Sequence, residues 1–158
     1  MLKRSYDNQN CSIARTLELV GERWTLLIIR DALLGRSRFD EFQESLGIAR
    51  NVLTDRLHRL VEEGILERRR YSEHPPRDEY VLTEKGRDLY PVIIGLLRWG
   101  DRWTAGPEGP PLVLEHQNCG QEVMPILVCP TCREEITAQT LHPHPGPGAK
   151  AQSATESN

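Results

Sequence analysis

The feature that most constrains this fold is a pair of short amphipathic helices separated by one glycine. The pattern predicts a helix over residues 37–46, capped by Ser37, a turn at Gly47, and a second helix over residues 50–63. The apolar positions that recur at helical spacing are Phe39, Phe42 and Leu46 in the first helix, and Leu53, Leu57, Leu60 and Val61 in the second. Two short helices joined by a tight turn are what a helix-turn-helix requires.

The segments around this pair complete a known arrangement. Two helices are predicted before it, over residues 12–20 and 22–34, each followed by glycine. Two strands, residues 65–71 and 78–82, follow it around a loop with two prolines, and a long helix capped by Thr83 runs over residues 84–103. The predicted fold is therefore mainly α with a small β-hairpin wing, a winged helix-turn-helix with a long C-terminal dimerisation helix.

Composition divides the rest of the chain. Proline and glycine are frequent in residues 105–111, and from His142 the sequence is rich in Pro, Gly, Ala and Ser, a composition that cannot build a core. The predicted organisation is a flexible arm at 1–10, a winged helix-turn-helix domain at 11–104, a linker at 105–111, a small zinc-ribbon-like β unit at 112–140, and a disordered tail at 141–158.

Charge and hydropathy limit the class of protein. No run approaches the eighteen apolar residues of a membrane span, and the N-terminus lacks a secretory leader, so we expect a cytoplasmic protein that does not associate with membranes. The net charge of -3 argues at first against nucleic acid. However, residues 1–104 hold 18 of the 20 basic and 17 of the 23 acidic residues, so the excess acid lies in the C-terminal part. Local basic clusters, and not net charge, neutralise phosphates.

The second helix of the pair presents the candidate DNA contacts. The candidate contacts on this helix are Arg50, Asn51, Thr54, Asp55, His58 and Arg59. Asparagine can form two hydrogen bonds with adenine, and arginine can do the same with guanine. Asp55 is an exception, because phosphates repel a carboxylate unless it accepts from a cytosine amine or pairs with Arg59, one turn further on.

The wing and the long helix have predicted roles of their own. On the wing, Arg68, Arg70 and Arg77 suit contacts with phosphates or the minor groove, although an arginine triplet on a strand can also simply protect a sheet edge. The long helix carries apolar residues that we assign to dimerisation: Leu89, Ile93, Leu96, Trp99 and Trp103.

Six stretches of the chain match a known pattern: 11–17 (CSIARTL), 21–28 (GERWTLLI), 33–39 (LLGRSRF), 51–57 (NVLTDRL), 60–64 (LVEEG) and 75–86 (PPRDEYVLTEKG). In these stretches the sequence resembles the HxlR family of winged helix regulators, which are relatives of MarR-type repressors. The resemblance covers about residues 11–103. It implies a homodimer formed through the terminal helices on a roughly palindromic operator, with recognition helices about 34 Å apart. The family includes repressors and activators, and we expect repression.

Cys11 is a candidate sensor, because several members of this family carry a sensing cysteine at the corresponding place. It lies just before a predicted helix, where the partial positive charge of the N-terminus favours a thiolate. The alternative is a small residue that packs at the start of the helix. The signal could be an oxidant, an electrophile or another small molecule.

The remaining cysteines form a spaced set. His116 and Cys119 precede Cys129 and Cys132, and a two-residue spacing within each pair allows both side chains to reach one tetrahedral metal. We therefore predict a structural Zn²⁺ site, with strands at 112–114 and 126–128. The alternative is a β-hairpin with free cysteines.

These observations favour a sequence-specific, dimeric transcriptional regulator that binds double-stranded DNA and is not an enzyme. The alternative is a winged helix that binds a protein partner and no specific DNA. An enzyme is disfavoured because the chain has no glycine-rich phosphate loop and no paired nucleophile and base.

Overall fold

The structure is a computed structural model that describes Tyr6 and residues 9–151. Most of the predicted flexible arm and the last seven residues of the predicted tail lie outside the described residues. The chain divides into two units, Met1–Leu97 and Arg98–Asn158. In order, the described helices and strands of the first unit are α1 (Ser12–Val20), α2 (Thr25–Leu33), α3 (Phe39–Leu46), α4 (Arg50–Glu62), β1 (Leu66–Glu73), β2 (Pro76–Leu82), α5 (Glu84–Arg87) and the start of α6 (Tyr90–Thr104).

The helix-turn-helix consists of α3 and α4. Gly47 has a φ of +59°, in the left-handed region that glycine adopts without penalty, and this turns the chain between the two helices. The predicted cap at Ser37 is wrong by one residue, because Arg38 is the N-cap of α3. The carboxylate of Glu41 accepts the backbone N–H groups of both Ser37 and Arg38 at 2.9 Å and lowers the number of unpaired donors at the helix start.

Helix α2 begins later than predicted. The pattern placed its start at residue 22, but Trp24 has a φ of +79°. A residue in the left-handed region cannot continue a right-handed helix, so α2 starts at Thr25. Ile28 and Ile29 are its fully buried apolar residues, whereas Leu27 stays partly exposed.

The wing is longer, and its loop shorter, than the sequence predicted. Strands β1 and β2 pair antiparallel from Leu66 opposite Leu82 to Glu73 opposite Pro76, with a bulge between Arg70 and Ser72. The loop predicted at 72–77 is thus mostly strand. Its prolines lie beyond the central ladder, at the hairpin end, where a missing N–H costs little.

The predicted long helix is divided in two. Thr83 caps α5 as predicted, since its hydroxyl oxygen accepts the N–H of Gly86 at 3.1 Å. However, α5 ends at Arg87 and α6 starts at Tyr90. Pro91 has no N–H to donate to the carbonyl of Arg87, so a continuous helix would lose a hydrogen bond there, whereas proline fits the first turn of a new helix.

One hydrophobic core holds the first unit together. Its members come from α1 to α4, the paired strands and two connecting segments: Val20, Ile28, Ile29, Phe42, Ile48, Leu53, Leu57, Leu60, Ile65, Leu66 and Leu82. Each fully buried aliphatic or aromatic side chain contributes roughly 1.5–3 kcal/mol to folding. This core fixes α4 so that one row of its side chains faces inward and the other faces solvent.

The second unit contains the last turns of α6, a small hairpin of β3 (Glu115–His116) and β4 (Gln121–Glu122), and a 3-10 turn, Pro147–Ala151. The first strand therefore begins after the predicted one at 112–114. In the predicted strand at 126–128, Val128 forms an isolated antiparallel bridge with Glu135. Among the described residues of this unit, no hydrophobic side chain is buried. Nowhere in the described part of the chain is a helix long and apolar enough to cross a bilayer.

Candidate nucleic-acid interface

Helix α4 separates its side chains into two rows. Leu53, Leu57 and Leu60 are at most 1% exposed, as the helical period predicted. The opposite row is exposed to solvent and consists of Arg50, Asn51, Thr54, Asp55, His58 and Glu62. The first half of a recognition helix supplies most base contacts in helix-turn-helix proteins. The first two turns of α4 therefore offer amide, hydroxyl and guanidinium groups where such contacts occur.

Two contacts restrain the start of this row. The guanidinium of Arg50 lies over the ring of Phe39, 4.7 Å from its centroid. A cation over an aromatic face is stabilised, and the side chain loses some of its rotamer freedom before DNA binds. The hydroxyl of Thr54 donates to the carbonyl oxygen of Arg50 at 2.9 Å, so its oxygen can still accept from a base.

Arg59 does not point freely to solvent as predicted. Its Nη2 donates to the carbonyl oxygen of Glu18 at 2.5 Å, and its Nη1 lies 3.5 Å from the carboxylate of Glu22. Arg56, from the same side of α4, pairs with Glu22 at 2.5 Å. The suggested partnership of Asp55 with Arg59 is wrong, because Arg59 is directed toward α1 and the loop that follows it. These contacts fix the orientation of α4.

His58, one turn after Thr54, lies near Glu62. Its Nδ1 is 3.5 Å from the carboxylate of Glu62, and both side chains are exposed. The pair has the usual i, i+4 spacing of a helix and little burial, so it leaves the imidazole accessible.

The wing arginines are largely neutralised by acidic residues of the same hairpin. Asp78 on β2 pairs with Arg68, and its other oxygen is 3.1 Å from Nε of Arg70. The hydrogen bonds from Arg68 and Arg70 lower the pKa of the Asp78 carboxyl, and the same contact raises the pKa of Arg68. Arg69 pairs with Glu67. A carboxylate between two guanidinium groups reduces the positive field that phosphates would meet.

Arg77 differs from the other wing arginines. It is exposed and lies opposite Ser72 beside the bulge, near the end of the hairpin. Within the described residues, no ion pair or side-chain hydrogen bond engages its guanidinium. Of the three predicted wing contacts, Arg77 is the one whose charge is available to a phosphate.

The base of the wing is attached to the start of α3, which sequence patterns did not reveal. The N–H of Tyr80 donates to the carbonyl oxygen of Ser37 at 2.6 Å, and the hydroxyl of Ser37 donates to Glu79 at 3.2 Å. Arg38 stacks on the ring of Tyr71 at 4.7 Å. The partners in these contacts are 33 to 43 positions apart, so no local period could have predicted them. They couple the wing to the helix-turn-helix.

An apolar surface is left exposed on the terminal helices of the first unit. Of the predicted dimer residues, Leu89 and Ile93 pack against the core, whereas Leu96 is 52% exposed. On α1, Ile13 and Leu17 are 72% and 41% exposed. In the second unit, the large exposed side chains of α6 are Trp99 and Trp103. Exposed apolar residues on neighbouring turns of a helix are typical of a protein interface.

Cys11 is the N-cap residue of α1 and is half-buried. The backbone N–H groups of Ala14 and Ile13, which lack helical acceptors there, lower the pKa of its thiol. A larger fraction of the side chain is therefore thiolate near neutral pH than in a free cysteine. This is the chemistry that a thiol sensor needs, although the same position also serves as a helix cap.

The predicted zinc ligands form two pairs. Nδ1 of His116 is 3.3 Å from Sγ of Cys119. Backbone N–H groups of Cys132 and Thr131 lower the pKa of the Cys129 thiol, and the Cys132 side chain hydrogen-bonds it as well. Among the described residues, no three His, Cys, Asp or Glu side chains are grouped closely enough to hold a metal. The structural zinc site stays a prediction.

Comparisons with known proteins agree with the fold. A family model for the HxlR-like helix-turn-helix matches residues 19–108, more than half of the chain. The HTH-type transcriptional regulator Rv3095 of Mycobacterium tuberculosis is 52% identical over 144 residues, covering 91% of each protein. The crystal structure of PA1607, a candidate transcription factor, is 34% identical with a TM-score of 0.78, covering 88% of this chain and 97% of that one.

A third similar structure is that of the redox regulator HypR in its reduced form. It is 33% identical, with a TM-score of 0.55, and the match covers 58% of this chain and 92% of HypR. These matches differ in how much of this chain they cover, because the match to HypR is much shorter than the match to Rv3095. Since the match to Rv3095 spans 144 residues, it continues at least 36 residues past residue 108, where the family model ends.

Proposed function

This chain belongs to the HxlR-like helix-turn-helix family, and on that premise we propose that it regulates transcription as a homodimer on a roughly palindromic DNA site. The observation that carries the proposal is the exposed polar row of α4, held above the buried Leu53, Leu57 and Leu60. A helix fixed on one side by a core and polar on the other can enter the major groove without unfolding its own domain.

Base recognition is assigned to the first turns of α4. Asn51 suits an adenine edge and Arg50 a guanine edge, while Thr54 can accept from either or contact a thymine methyl. Arg77 is assigned to the phosphate backbone, and Arg68 and Arg70 contribute less because Asp78 neutralises them. Arg56 and Arg59 position α4 and do not contact bases.

Dimerisation is assigned to the exposed apolar residues of α1 and α6. Covering Ile13, Leu17 and Leu96 would remove from water side chains that the first unit leaves open. A two-fold dimer places two identical recognition helices about one helical turn of DNA apart, roughly 34 Å, and so selects a palindrome.

The dimer is tested by sedimentation of the full chain. Leu96→Glu places a charge at the centre of the proposed interface and should shift the protein toward the monomer at micromolar concentration. The matched control is Leu34→Glu, since Leu34 is equally large and exposed but lies at the end of α2. A monomeric wild-type protein, or equal behaviour of both variants, would place the interface elsewhere.

We assign repression as the mode of action and thiol oxidation at Cys11 as the signal. A dimer bound across a promoter blocks polymerase without any further surface. The support for the signal is the lowered pKa of the Cys11 thiol at the start of α1, together with the similarity to the redox regulator HypR. Oxidation of Cys11 changes DNA affinity only if it favours one arrangement of the two DNA-binding domains of the dimer over another.

The function is tested by fluorescence anisotropy of the reduced protein on DNA from its own upstream region, with salt titrated. Tight, salt-dependent and sequence-selective binding supports the proposal, and weaker binding after mild oxidation, absent in Cys11→Ser, supports the signal. Should a random-sequence selection yield no preferred site, the winged helix is instead a protein-interaction module.

A further inference from the structure

Two turns of the second unit have the same backbone geometry. In the His116 turn, residues 116–120, the N–H of Gly120 donates to the carbonyl oxygen of His116 at 2.8 Å, and Gly120 has a φ of +65°. In the Cys129 turn, residues 129–133, the N–H of Arg133 donates to the carbonyl oxygen of Cys129 at 2.9 Å, and Arg133 has a φ of +66°. In the His116 turn, this geometry brings the first and fourth side chains together, with Nδ1 of His116 3.3 Å from Sγ of Cys119.

The Cys129 turn contains a residue, Arg133, in a backbone conformation that side chains disfavour. Arg133 is one of only two non-glycine residues with a positive φ among the described residues, and side chains rarely adopt this region. The turn closes a second hairpin, because the N–H of Cys129 donates to Glu134 at 2.8 Å and that of Ile136 donates to Leu127 at 2.8 Å. The strands on either side thus hold the two thiols in one place.

The thiols of Cys129 and Cys132 belong to one turn and are accessible to solvent. The Cys129 turn spaces its two cysteines as the His116 turn spaces His116 and Cys119, where Nδ1 and Sγ are 3.3 Å apart. Cys132 is exposed and Cys129 half-buried, so a small oxidant can reach them. Two thiols alone are too few for a structural zinc, and the described residues bring no third ligand to them. Two accessible thiols that one short turn holds together are, however, sufficient for disulfide chemistry.

We propose that Cys129 and Cys132 form a reversible dithiol–disulfide pair that closes within one chain when an organic hydroperoxide oxidises it. One thiolate takes the terminal oxygen of the hydroperoxide and becomes a sulfenic acid, and an alcohol leaves. The second thiol attacks this sulfur, the S–S bond forms and water leaves. In total, two thiols and one hydroperoxide give one disulfide, one alcohol and one water, and two electrons pass to the oxidant.

Oxidation of the Cys129 pair and oxidation of Cys11 would give different disulfides. Cys11 caps α1 in the first unit and has no second cysteine near it in sequence, so a disulfide there would join it to a partner or a distant thiol. The Cys129 pair is in the second unit and gives an unlinked monomer on a non-reducing gel. The proposal therefore does not depend on DNA binding or on the sensor role of Cys11.

The sequence permits a direct mapping experiment on the full chain. Cleavage after glutamate separates Cys119, in the peptide 116–122, from Cys129 and Cys132, in the peptide 123–134. The reduced protein is treated with cumene hydroperoxide, blocked with N-ethylmaleimide, cleaved and weighed by mass spectrometry. The peptide 123–134 should lose both maleimide labels together and regain them after dithiothreitol, while the peptide 116–122 keeps its label.

Variants separate the proposed pair from its neighbours. Cys119→Ser, the matched exposed cysteine, should leave the oxidation of peptide 123–134 unchanged. Cys132→Ser should prevent the internal disulfide and leave Cys129 as a sulfenic acid that dimedone traps. Three outcomes would overturn the proposal: both thiols still label after oxidation, the disulfide includes Cys119, or bound zinc at one equivalent per chain protects both thiols until a chelator removes it.

Discussion

Arg56 of α4 lies 2.5 Å from the carboxylate of Glu22, and Arg59, one turn later, lies 3.5 Å from the same group. One carboxylate after α1 therefore holds two arginines of the recognition helix on the side that faces away from the candidate base contacts. We predict that Glu22→Gln lowers the free energy of unfolding by about 0.5–1 kcal/mol, the usual value for half-exposed pairs. Denaturant unfolding measures it.

The control for this loss of charge is Glu44→Gln, an exposed carboxylate on α3. If both variants unfold at the wild-type denaturant midpoint, the Glu22 pairs contribute nothing to stability. The same arrangement predicts that Arg59→Ala leaves the salt dependence of DNA binding unchanged, since Arg59 is already bonded to Glu18. A decrease in the salt slope by one phosphate contact would show that Arg59 reaches DNA.

The stacking of Arg50 on Phe39 predicts a graded loss of recognition. Arg50→Ala and Asn51→Ala should each weaken specific binding by ~1–3 kcal/mol, because each removes a base contact. Phe39→Leu should give a smaller loss, because it keeps an apolar side chain but removes the aromatic face that restrains Arg50. Fluorescence anisotropy of each variant on the operator and on a scrambled duplex measures these losses of affinity. An equal loss on the two duplexes would mean that neither residue selects sequence.

Asp78 on the wing should oppose DNA binding. Asp78→Asn removes the carboxylate that pairs with Arg68 and Arg70, so Arg68 becomes available to phosphates and Arg70 keeps only its 3.7 Å contact with Glu73. We expect tighter binding to every duplex and a steeper salt dependence, whereas Arg77→Ala should weaken binding and reduce the slope by about one contact. Glu122→Gln, in β4, changes net charge equally and serves as control. Weaker binding by Asp78→Asn would contradict this role.

Glu41 predicts a pH dependence of stability. The backbone N–H groups of Ser37 and Arg38 lower the pKa of its carboxyl in the folded state. A carboxyl with a lowered folded pKa stabilises the protein at pH values above its unfolded pKa, and this contribution disappears as pH falls through the folded pKa. Glu41→Gln should therefore be less stable than wild type at neutral pH and equal to it in acid. A constant difference across this range would assign the effect to packing.

The sequence predicted the parts of the fold that depend on local period. The inward row of α4 follows from a 3.6-residue repeat, and Thr83 is confirmed as a cap, because both depend on neighbours a few residues away. The break before α6 was missed although Pro91 is present in the sequence, since the apolar spacing continues across it. The positive φ of Trp24 had no local signal.

The candidate interface was predicted less completely for a similar reason. Exposed positions such as Asn51 and Thr54 could be assigned from the helical wheel. The partners of Arg59 and Arg68 could not, because they depend on how α1 packs beside α4 and on the register of β1 against β2. Whether an arginine is available to a phosphate is decided by such long-range pairs, and composition alone overestimated the positive charge of the wing.

The buried core is confined to the first unit, and this has an evolutionary consequence. Since every described buried hydrophobic residue lies between Ala14 and Ile94, insertions, losses or rapid change after the linker remove little of the stability that natural selection must preserve. Lineages can therefore replace the C-terminal segment while the DNA-binding domain is inherited intact. HypR is consistent with this history, since its match covers 92% of its own length but only 58% of this chain.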